Sequence, residues 1–369
     1  MIDHDDELGA WLRLLETPNV GRESARKLLA AFGSPQAVMA ATTAARAEVV
    51  GPAQAAALAS APDDLGTLVT TTLAWLTAGS AEQPRDVITL GDPRYPPSLL
   101  EAADPPVLLY AQGRIELLQA SAVAIVGSRS PTPQGADNAR AFASQLSHSG
   151  FTVISGLAMG VDAAAHAGGL EGAASTVAVV GTGLDRVYPK RNLGLAHRIA
   201  SKGLIVSEYS LGTPPLPNNF PRRNRIIAGL AQGTLVVEAA LQSGSLITAR
   251  LANEAGRDVF AIPGSIHSPQ SRGCHALIKQ GAKLVETAQD ILEELRQPGA
   301  AAAPASATDA PPDLLLEALG FDPVTLDALV ARTGHSSSTL SVALLDLELD
   351  GQVARLPGQL FQRVTRGRA

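Results

Sequence analysis

The sequence predicts a central parallel α/β domain, with a helical region before it and a small region of helices and a hairpin after it. Seven short apolar runs between residues 121 and 285 alternate with stretches of helical pattern. Several of those helical stretches end in Gly, as at Gly150, Gly203 and Gly256. Continuous apolar strands that alternate with helices are typical of a parallel sheet covered on both faces.

Residues 1–83 form the predicted N-terminal helical domain. Val20-Gly21 and Val50-Gly51 are each followed by alanine and leucine, a weak repeat that resembles paired helix-hairpin-helix (SAM-like) units. Such hairpins often grip phosphates through backbone amides. This region has ten acidic and five basic residues, however, so we favour a packing or protein-contact module.

Residues 84–297 form the predicted main domain. Two short strands, Val87–Leu90 and Val107–Tyr110, flank a proline-rich turn region and lead into it. The seven strands of the parallel sheet are then expected at Val123–Val126, Phe151–Ile154, Thr176–Val180, Leu204–Val206, Thr234–Val237, Val259–Ile262 and Lys283–Val285.

The loops that follow these strands share one chemistry and are expected to emerge at one edge of the sheet. They are rich in glycine and hydroxyl residues, and exposed amides at helix starts favour anions. The loops are Gly127-Ser128-Arg129, the stretch from Ser155-Gly156 to Gly160, Gly181-Thr182-Gly183, Ser243-Gly244-Ser245 and Pro263-Gly264-Ser265. With Arg129, Lys190, Arg191 and Arg222 to Arg225 beside them, they predict an extended, phosphate-rich ligand.

The distribution of charge supports such a ligand, although the net charge is −6. Residues 1–83 have a net charge of −5 and residues 298–369 of −3, whereas residues 84–297 have +2. Local field decides what binds. The acidic N-terminus is not signal-like and no apolar run could span a bilayer, so we expect a cytoplasmic protein that does not bind a membrane. The single cysteine, Cys274, excludes an intrachain disulfide.

Phe220 is the residue that best discriminates between interpretations. Only 4% of the chain is aromatic, and this ring lies in a predicted polar, proline-rich loop beside Arg222, Arg223 and Arg225. It is either a buried anchor or a platform on which a base stacks. The arginines could pair with Glu208 or Glu238, but three in four positions do not easily all find buried partners, so we expect at least one to face the ligand.

Cofactor motifs are incomplete. Gly181-Thr182-Gly183 supplies two glycines of a dinucleotide fingerprint, but Arg186 stands where the third belongs. There is no P-loop motif, and we predict no cofactor and no metal.

Two further groups could have catalytic roles. Asp162 and His166 lie four residues apart, on one helix face, and could form an acid–base pair or ligate a metal. With no third ligand or nucleophile nearby, we favour a structural pair. Glu238, at a strand tip, is either a catalytic carboxylate or an orienting group, and both interpretations stay open.

The C-terminal part begins with a low-complexity linker at residues 298–312. In residues 313–369, helices are expected near 313–319, 325–333 and 336–350, followed by a hairpin at 352–356 and 360–364. This is the pattern of a winged helix. The third helix has Asp346, Glu348 and Asp350 and no Lys or Arg, so we favour a protein-contact role over DNA reading.

Seven stretches of the central domain, in order, resemble the DNA-processing protein A (DprA, Smf) family. They are VGSR at 126–129, SGLAMGVDAAAH at 155–166, GLDRVYPKRN at 183–192, FPRRNRIIAGL at 220–230, EAALQSGSLITA at 238–249, VFAIPG at 259–264 and GCHALIKQGA at 273–282. One departure is Ser210, where the family often has proline.

The resemblance implies an extended Rossmann domain that binds single-stranded DNA, forms a homodimer, loads RecA and displaces single-strand-binding protein. Gly127, Ser128 and Arg129 would line the DNA pocket, and Lys190 would hold a phosphate. Other residues are implied to contact base and phosphate: Phe220, Arg222, Asn224 and Arg225. Leu277 and Ile278 are candidates for the dimer surface. Family members commonly have an N-terminal helical domain and a C-terminal winged helix.

A rival interpretation is an enzyme. The central domain also resembles the nucleotide phosphoribohydrolases often called lysine decarboxylase-like, which have a glycine-rich stretch followed by a glutamate. Gln232-Gly233-Thr234 followed by Glu238 is an incomplete match. A bare interaction scaffold is the third alternative, disfavoured by the density of cations at one sheet edge.

Overall fold

The computed structural model of the protein describes residues 5–295, 314–319, 322–333, 337–356 and 360–364. Residue contacts divide the described chain into two units. The first comprises residues 5–263 and 269–295, and the second comprises 264–268 with the described residues from 314 onward. The predicted linker, 298–312, lies outside the described residues.

The first unit begins with six helices. They are α1 (Asp5–Glu16), α2 (Arg22–Phe32), α3 (Pro35–Ala40), α4 (Thr43–Val50), α5 (Pro52–Ala57) and α6 (Leu65–Thr77). Leu8, Trp11 and Leu12 recur at helical spacing on α1 and are buried, and they share a core with Trp75 and with strand residue Tyr110. The N-terminal helices therefore pack directly on the sheet domain.

A nine-stranded sheet forms the centre of this unit. Its strands are β1 (Arg85–Thr89), β2 (Leu108–Gly113), β3 (Ala122–Val126), β4 (Thr152–Ser155), β5 (Thr176–Val179), β6 (Leu204–Ser207), β7 (Gly233–Val236), β8 (Asp258–Ala261) and β9 (Lys283–Leu284). They are arranged in the order β1-β2-β6-β5-β4-β3-β7-β8-β9. All pairings from β6 to β9 are parallel, whereas β1–β2 and β2–β6 are antiparallel. The two lead-in strands thus extend the main sheet.

Helices cover both faces of the sheet. They are α7 (Pro97–Leu100), α8 (Pro133–His148), α9 (Val161–Gly169), α10 (Leu193–Lys202), α11 (Asn219–Leu230), α12 (Ser245–Glu254), α13 (Arg272–Lys279) and α14 (Ala288–Leu295). Successive strand residues point to opposite faces. Val123 and Ile125 therefore pack with α8, α9 and α14, whereas Ala124 and Val126 pack with α7, α11, α12 and α13. Helix α10 packs on Ala178 and lies on the same face as α8.

The strand order creates a switch point between β3 and β7. From β3 the chain moves outward through β4, β5 and β6, and then returns to the other side of β3 with β7, β8 and β9. The loops after β3 and β7 therefore diverge, and a crevice opens at the carboxyl ends of these two strands.

The second unit contains a winged helix. Its elements are α15 (Leu314–Leu319), β10 (Val324–Thr325), α16 (Leu326–Thr333), α17 (Ser337–Leu349), β11 (Val353–Leu356) and β12 (Leu360–Arg363). The three strands form one antiparallel sheet in the order β10-β12-β11. Buried Leu329, Leu340, Leu344 and Phe361 form its core. The predicted turn at 357–359 lies outside the described residues.

None of the described helices combines the length and apolar character that crossing a membrane requires.

Candidate nucleic-acid interface

A cleft of about 650 Å³ opens at the switch point. It lies where the loop after β3, the loop after β5, the first turns of α11 and the loop between β7 and α12 meet. The lining residues that matter below are Gly127, Ser128, Arg129, Asp162, Tyr188, Phe220, Arg223, Asn224, Ser243, Gly244 and Ser245. With Asp162 at the start of α9, five separate segments thus converge on one concave surface, where the sequence predicted an extended site.

The loop after β3 forms one wall of the cleft. A Cβ at Gly127 would lie 2.7 Å from Val161 Cγ2 and 2.9 Å from the carbonyl oxygen of Glu238, so only glycine fits. Ser128 is half-buried, and its Oγ accepts the Ser130 amide at 3.1 Å. Arg129 is exposed. Gly127, Ser128 and Arg129 therefore lie together at the cleft.

Two aromatic rings lie side by side at the opposite wall. The ring centroids of Tyr188 and Phe220 are 5.5 Å apart, with an angle of 39° between the ring planes. Phe220 is half-buried over Gly181, whereas Tyr188 is 49% exposed. The predicted loop around Phe220 is wrong, because this residue lies in the first turn of α11. Sequence reasoning also missed Tyr188, although an aromatic residue beside Lys190 and Arg191 was a usable signal.

The helical geometry sends the three arginines of α11 in different directions, because each residue turns by about 100°. Arg222 is exposed, Arg223 is 4% exposed and the side chain of Arg225 is 12% exposed. Asn224, on the same turn, is half-buried, and its Nδ2 is 3.5 Å from the carbonyl oxygen of Gly244. Only one of the three guanidinium groups is open to solvent.

Arg223 is a buried cation in the floor of the cleft. It donates to the carbonyl oxygen of Val179, and its guanidinium occupies the space that a side chain at Gly156 would need. Burial lowers the pKa of Arg223 to about 10, partly offset by the nearby carboxylate of Asp162. The expectation of direct ligand contact is therefore corrected to a supporting role.

Arg225 is held by two carboxylates. It donates to Glu208 at 3.0 and 2.6 Å and to Asp104 at 2.8 Å. Glu208 also accepts from Arg22 of α2 at 3.0 Å, and Asp104 accepts from Arg26 at 2.6 Å. The expected role of Arg225 in contacting the ligand is thus corrected, since this residue ties α11 to the N-terminal helices.

Ser155 and Gly156 are buried, so the expectation that they contact the ligand is corrected as well. The hydroxyl of Ser155 donates to the carbonyl oxygen of Ile125 at 2.7 Å, and the Gly156 amide donates to Asp162 at 3.1 Å. These two residues hold the start of the loop after β4 against β3 and α9.

Asp162, His166 and Asn192 hold that loop in a strained conformation. Leu157 has φ 56°, a region that non-glycine residues rarely adopt. Asp162 accepts the amides of Gly156 and Ala158, and burial raises its pKa. The side-chain amide of Asn192 donates to the carbonyl oxygens of Leu157 at 2.9 Å and Ala158 at 3.1 Å. Sequence reasoning missed Asn192, because its partners lie 34 and 35 residues away.

The hydrogen bonds of His166 fix its tautomer. Thr176 Oγ1 donates its proton to Val153 O at 2.6 Å, so this oxygen accepts from His166 Nδ1 at 2.7 Å. His166 Nε2 then accepts the Leu157 amide at 3.2 Å. Burial, together with the charge of Arg223, lowers the pKa of His166 to about 3. The ring is neutral and fully engaged, in line with the structural role favoured above.

Glu238 closes the start of α8. Its two carboxylate oxygens accept the Thr132 hydroxyl at 2.6 Å and the Thr132 amide at 2.9 Å. Thr132 is the N-cap of α8, so Glu238 joins the loop after β7 to that helix terminus. Burial raises the pKa of Glu238. Of the two interpretations left open, this geometry is the orienting one.

The remaining cations lie at the same sheet edge. Lys190 and Arg191 are exposed in a short 3-10 turn that follows Tyr188. Within the residues that the structure describes, no ion pair involves Arg129, Lys190, Arg191 or Arg222. Arg129 thus lines the cleft as an exposed cation, and three more exposed cations lie on the segments beside it.

The remaining predicted site residues are Gly264, Leu277 and Ile278. Gly264 is exposed and follows Pro263 directly, but it belongs to the second unit. Leu277 and Ile278 are half-buried on α13 and pack against the main core. Leu277 also lines a groove of about 630 Å³ between α12 and α13.

The fold and cleft define a Rossmann-type protein with helix-hairpin-helix and winged-helix extensions and a site suited to a polyanion. Residues 86–296 match the family described as DNA recombination-mediator protein A. Residues 5–65 match the DprA-like N-terminal HHH domain, and residues 299–359 match the DprA winged helix domain. The chain belongs to the DNA recombination-mediator protein A (DprA/Smf) family.

Relatives agree with this assignment. Protein Smf of Escherichia coli is 41% identical over 306 residues, which is 79% of each chain. DNA processing protein DprA of Streptococcus pneumoniae is 50% identical over 203 residues, 55% of this chain and 72% of the relative. These relatives support a role in DNA processing.

Solved structures agree as well. A Streptococcus pneumoniae DprA structure has a TM-score of 0.68 at 38% identity and covers 78% of this chain and 98% of its own. A Helicobacter pylori DprA structure is described for its single-stranded DNA binding mode. It has a TM-score of 0.53 at 31% identity, and the match covers 57% of this chain and 95% of the Helicobacter pylori chain.

Proposed function

We propose that this protein is a sequence-independent single-stranded DNA-binding protein that protects incoming DNA and loads RecA onto it in natural transformation and recombination. The observation that carries the proposal is the Tyr188–Phe220 ring pair facing a cleft edged by exposed cations. The Helicobacter pylori relative described for its single-stranded DNA binding mode supports the choice of ligand.

The two chemical parts of a single strand fit the two parts of the cleft. Backbone phosphates would settle on Arg129, Lys190, Arg191 and Arg222, and on the amides of the loop after β3. Bases would turn toward Tyr188 and Phe220, where each stacked base contributes about 1–3 kcal/mol. Any base has a flat face, so this arrangement does not select a sequence. In a duplex the faces of the bases are already stacked, so the rings favour single strands.

The hydrogen bonds of the candidate acid–base residues support a binding role without catalysis, because these residues are already engaged within the fold. Glu238 binds Thr132, Asp162 is buried and accepts two backbone amides, and both nitrogens of His166 are hydrogen-bonded. Each of these candidates for acid–base chemistry has a structural task. The rival interpretation, a nucleotide phosphoribohydrolase, predicts that free base is released when nucleoside monophosphates are mixed with the protein. We expect no release of free base.

The direct test of this proposal is a gel-shift comparison of single-stranded and double-stranded oligonucleotides. We expect preferential binding to the single strand, and we expect Arg129→Glu and Lys190→Glu each to abolish most of it with unchanged thermal unfolding. Arg250→Glu is the matched control, because Arg250 is exposed on α12 outside the cleft and pairs with its neighbour Glu254. Normal binding by both cleft variants would refute the site assignment.

The proposal includes a homodimer in the cytoplasm with RecA as its protein partner. Leu277 and Ile278 on α13 remain our candidates for the dimer surface, and Leu277→Glu should give a monomer in size-exclusion chromatography with light scattering. For the winged helix we keep a protein-contact role, supported by exposed Glu348 and Asp350 near the end of α17. RecA loading is tested by RecA filament assembly on strands coated with single-strand-binding protein, which the full chain should accelerate.

A further inference from the structure

The segment between Asp185 and Glu208 is a continuous basic stretch in an acidic protein. Its 22 residues contain five lysines and arginines, one histidine and no aspartate or glutamate. Arg186 pairs with Asp185, and Lys190 and Arg191 are the cations already placed at the edge of the cleft. Arg198 and Lys202 lie on α10, which the proposed function does not use.

The outer face of α10 continues the row of cations away from the cleft. Ala196, Ile199 and Ala200 face the core, so positions 194, 198 and 202 point outward on the opposite side, and Arg191 lies in the 3-10 turn just before the helix. Arg191, Arg198 and Lys202 are all exposed, and position 194 is glycine. We call these three cations the α10 stripe. It extends over about 16 Å, at 1.5 Å per residue.

The direction of the stripe follows from the topology. Helix α10 connects the carboxyl end of β5 to the amino end of β6, which is parallel to it. The helix therefore begins at the cleft edge of the sheet, beside Tyr188, and runs toward the opposite edge. A strand that leaves the cleft past Tyr188 meets the stripe at once.

Neighbouring carboxylates do not neutralise the stripe. Asp185 pairs with Arg186 at 3.3 Å, and Glu116, near the end of α10, pairs with Arg114 at 2.9 Å. Within the described part of the chain, neither Arg198 nor Lys202 takes part in an ion pair. Both cations are therefore available to an external anion.

An exposed apolar side chain lies at the start of the stripe. Leu193 is 46% exposed on the first turn of α10, five residues after Tyr188. Exposed apolar groups among cations are what a single strand needs, because its bases are flat and apolar on their faces and its backbone is anionic. A plain solvated basic helix would not require them.

We infer that the outer face of α10 is a second segment of the single-stranded DNA path, in which Arg198 and Lys202 of the α10 stripe bind phosphates of nucleotides that have left the cleft past Arg191. This inference rests on the proposed function. A stacked strand advances about 3.4 Å per nucleotide, so a stripe of about 16 Å takes about five nucleotides.

The test is a series of oligothymidylates of increasing length, with the full chain and the double variant Arg198→Gln/Lys202→Gln. Affinity of the wild type should rise with length and then level off. The variant should bind the shortest oligonucleotides as the wild type does, but its affinity should level off about five nucleotides earlier. With long oligonucleotides its log–log salt slope should be less negative by about 1.4, because two phosphates are no longer neutralised and each accounts for about 0.7.

Arg250→Gln is the control variant and should reproduce the wild-type curve. If the double variant gives the wild-type length dependence and salt slope, the α10 path is overturned while binding in the cleft stands. If the wild-type chain binds no oligothymidylate of any length, the proposed function itself fails.

Discussion

Arg225 and Glu208 form a two-point ion pair, with guanidinium-to-carboxylate distances of 3.0 and 2.6 Å. Arg22 of α2 donates to the same carboxylate, and only 4% of the Glu208 side chain is exposed. Arg225 belongs to the helix that presents Phe220 to the cleft, and Arg22 belongs to the N-terminal helical region. Through Glu208, the N-terminal helix α2 is therefore joined to α11, the helix that positions Phe220.

Removal of this cation should destabilise the fold. Arg225→Gln leaves Glu208 buried with only Arg22, and we expect the free energy of unfolding to fall by about 2–3 kcal/mol in urea denaturation. Arg222→Gln, three residues earlier on the exposed side, should leave the free energy of unfolding unchanged but weaken DNA binding. Equal stability of the two variants would contradict the division of roles among the arginines.

The ring pair should contribute to binding through stacking. Tyr188→Leu keeps an apolar side chain but removes the flat ring, and we expect single-stranded DNA affinity to fall about 5- to 150-fold, which corresponds to about 1–3 kcal/mol per base. Fluorescence anisotropy with labelled oligothymidylate measures this. Tyr188→Phe should bind like the wild type, and a loss of affinity there would point to the hydroxyl group instead of the ring.

Asn192 should matter for stability and for binding. Asn192→Ala leaves the carbonyl groups of Leu157 and Ala158 without their donor, at an expected cost of about 1–3 kcal/mol in the free energy of unfolding. Lys190 and Arg191 directly precede Asn192, so DNA affinity should fall as well. Asn253→Ala, on the exposed face of α12, should change neither quantity. Unchanged binding by the Asn192 variant would show that the 3-10 turn keeps its position without this anchor.

Stability should depend on pH through His166. The pKa of His166 is about 3 in the folded protein and about 6.5 when unfolded, so the unfolded state binds more protons between these values. His166 does not reduce the free energy of unfolding above pH 6.5. As the pH falls from 6.5 toward 3, protonation of this residue in the unfolded state lowers the free energy of unfolding by about 1.4 kcal/mol per pH unit. Urea denaturation of the wild type and His166→Gln between pH 7 and 4 should show a shallower loss for the variant. Equal slopes would contradict a neutral, buried ring.

Much of the main sheet could be predicted from sequence, since each buried parallel strand is a continuous apolar run. The location of the cleft followed, because the glycine loops after parallel strands must share one edge. The helix at Phe220 could not be predicted from the proline beside it. Pro221 lies in the first turn of α11, where a missing N–H costs nothing, so a proline that suggested a loop is compatible with a helix start.

The division of the arginines could not be predicted either. The partners of Arg225 are distant in sequence: Glu208 lies 17 residues away and Asp104 lies 121 residues away. Only the folded sheet brings these three residues together. Burial of Arg223 likewise depends on the absence of a side chain at Gly156. Spacing along a helix shows that three arginines diverge, but it does not show what each one meets.

The central claim, that exposed cations at the switch point bind the phosphates of a single strand, is tested most directly by the salt dependence of oligothymidylate binding. With Arg129, Lys190, Arg191 and Arg222 each neutralising one phosphate of an oligothymidylate short enough to stay within the cleft, the log–log slope should be about −3, at about −0.7 per phosphate. Arg129→Gln should make it less negative by about 0.7. An affinity that hardly changes as salt rises would contradict the account.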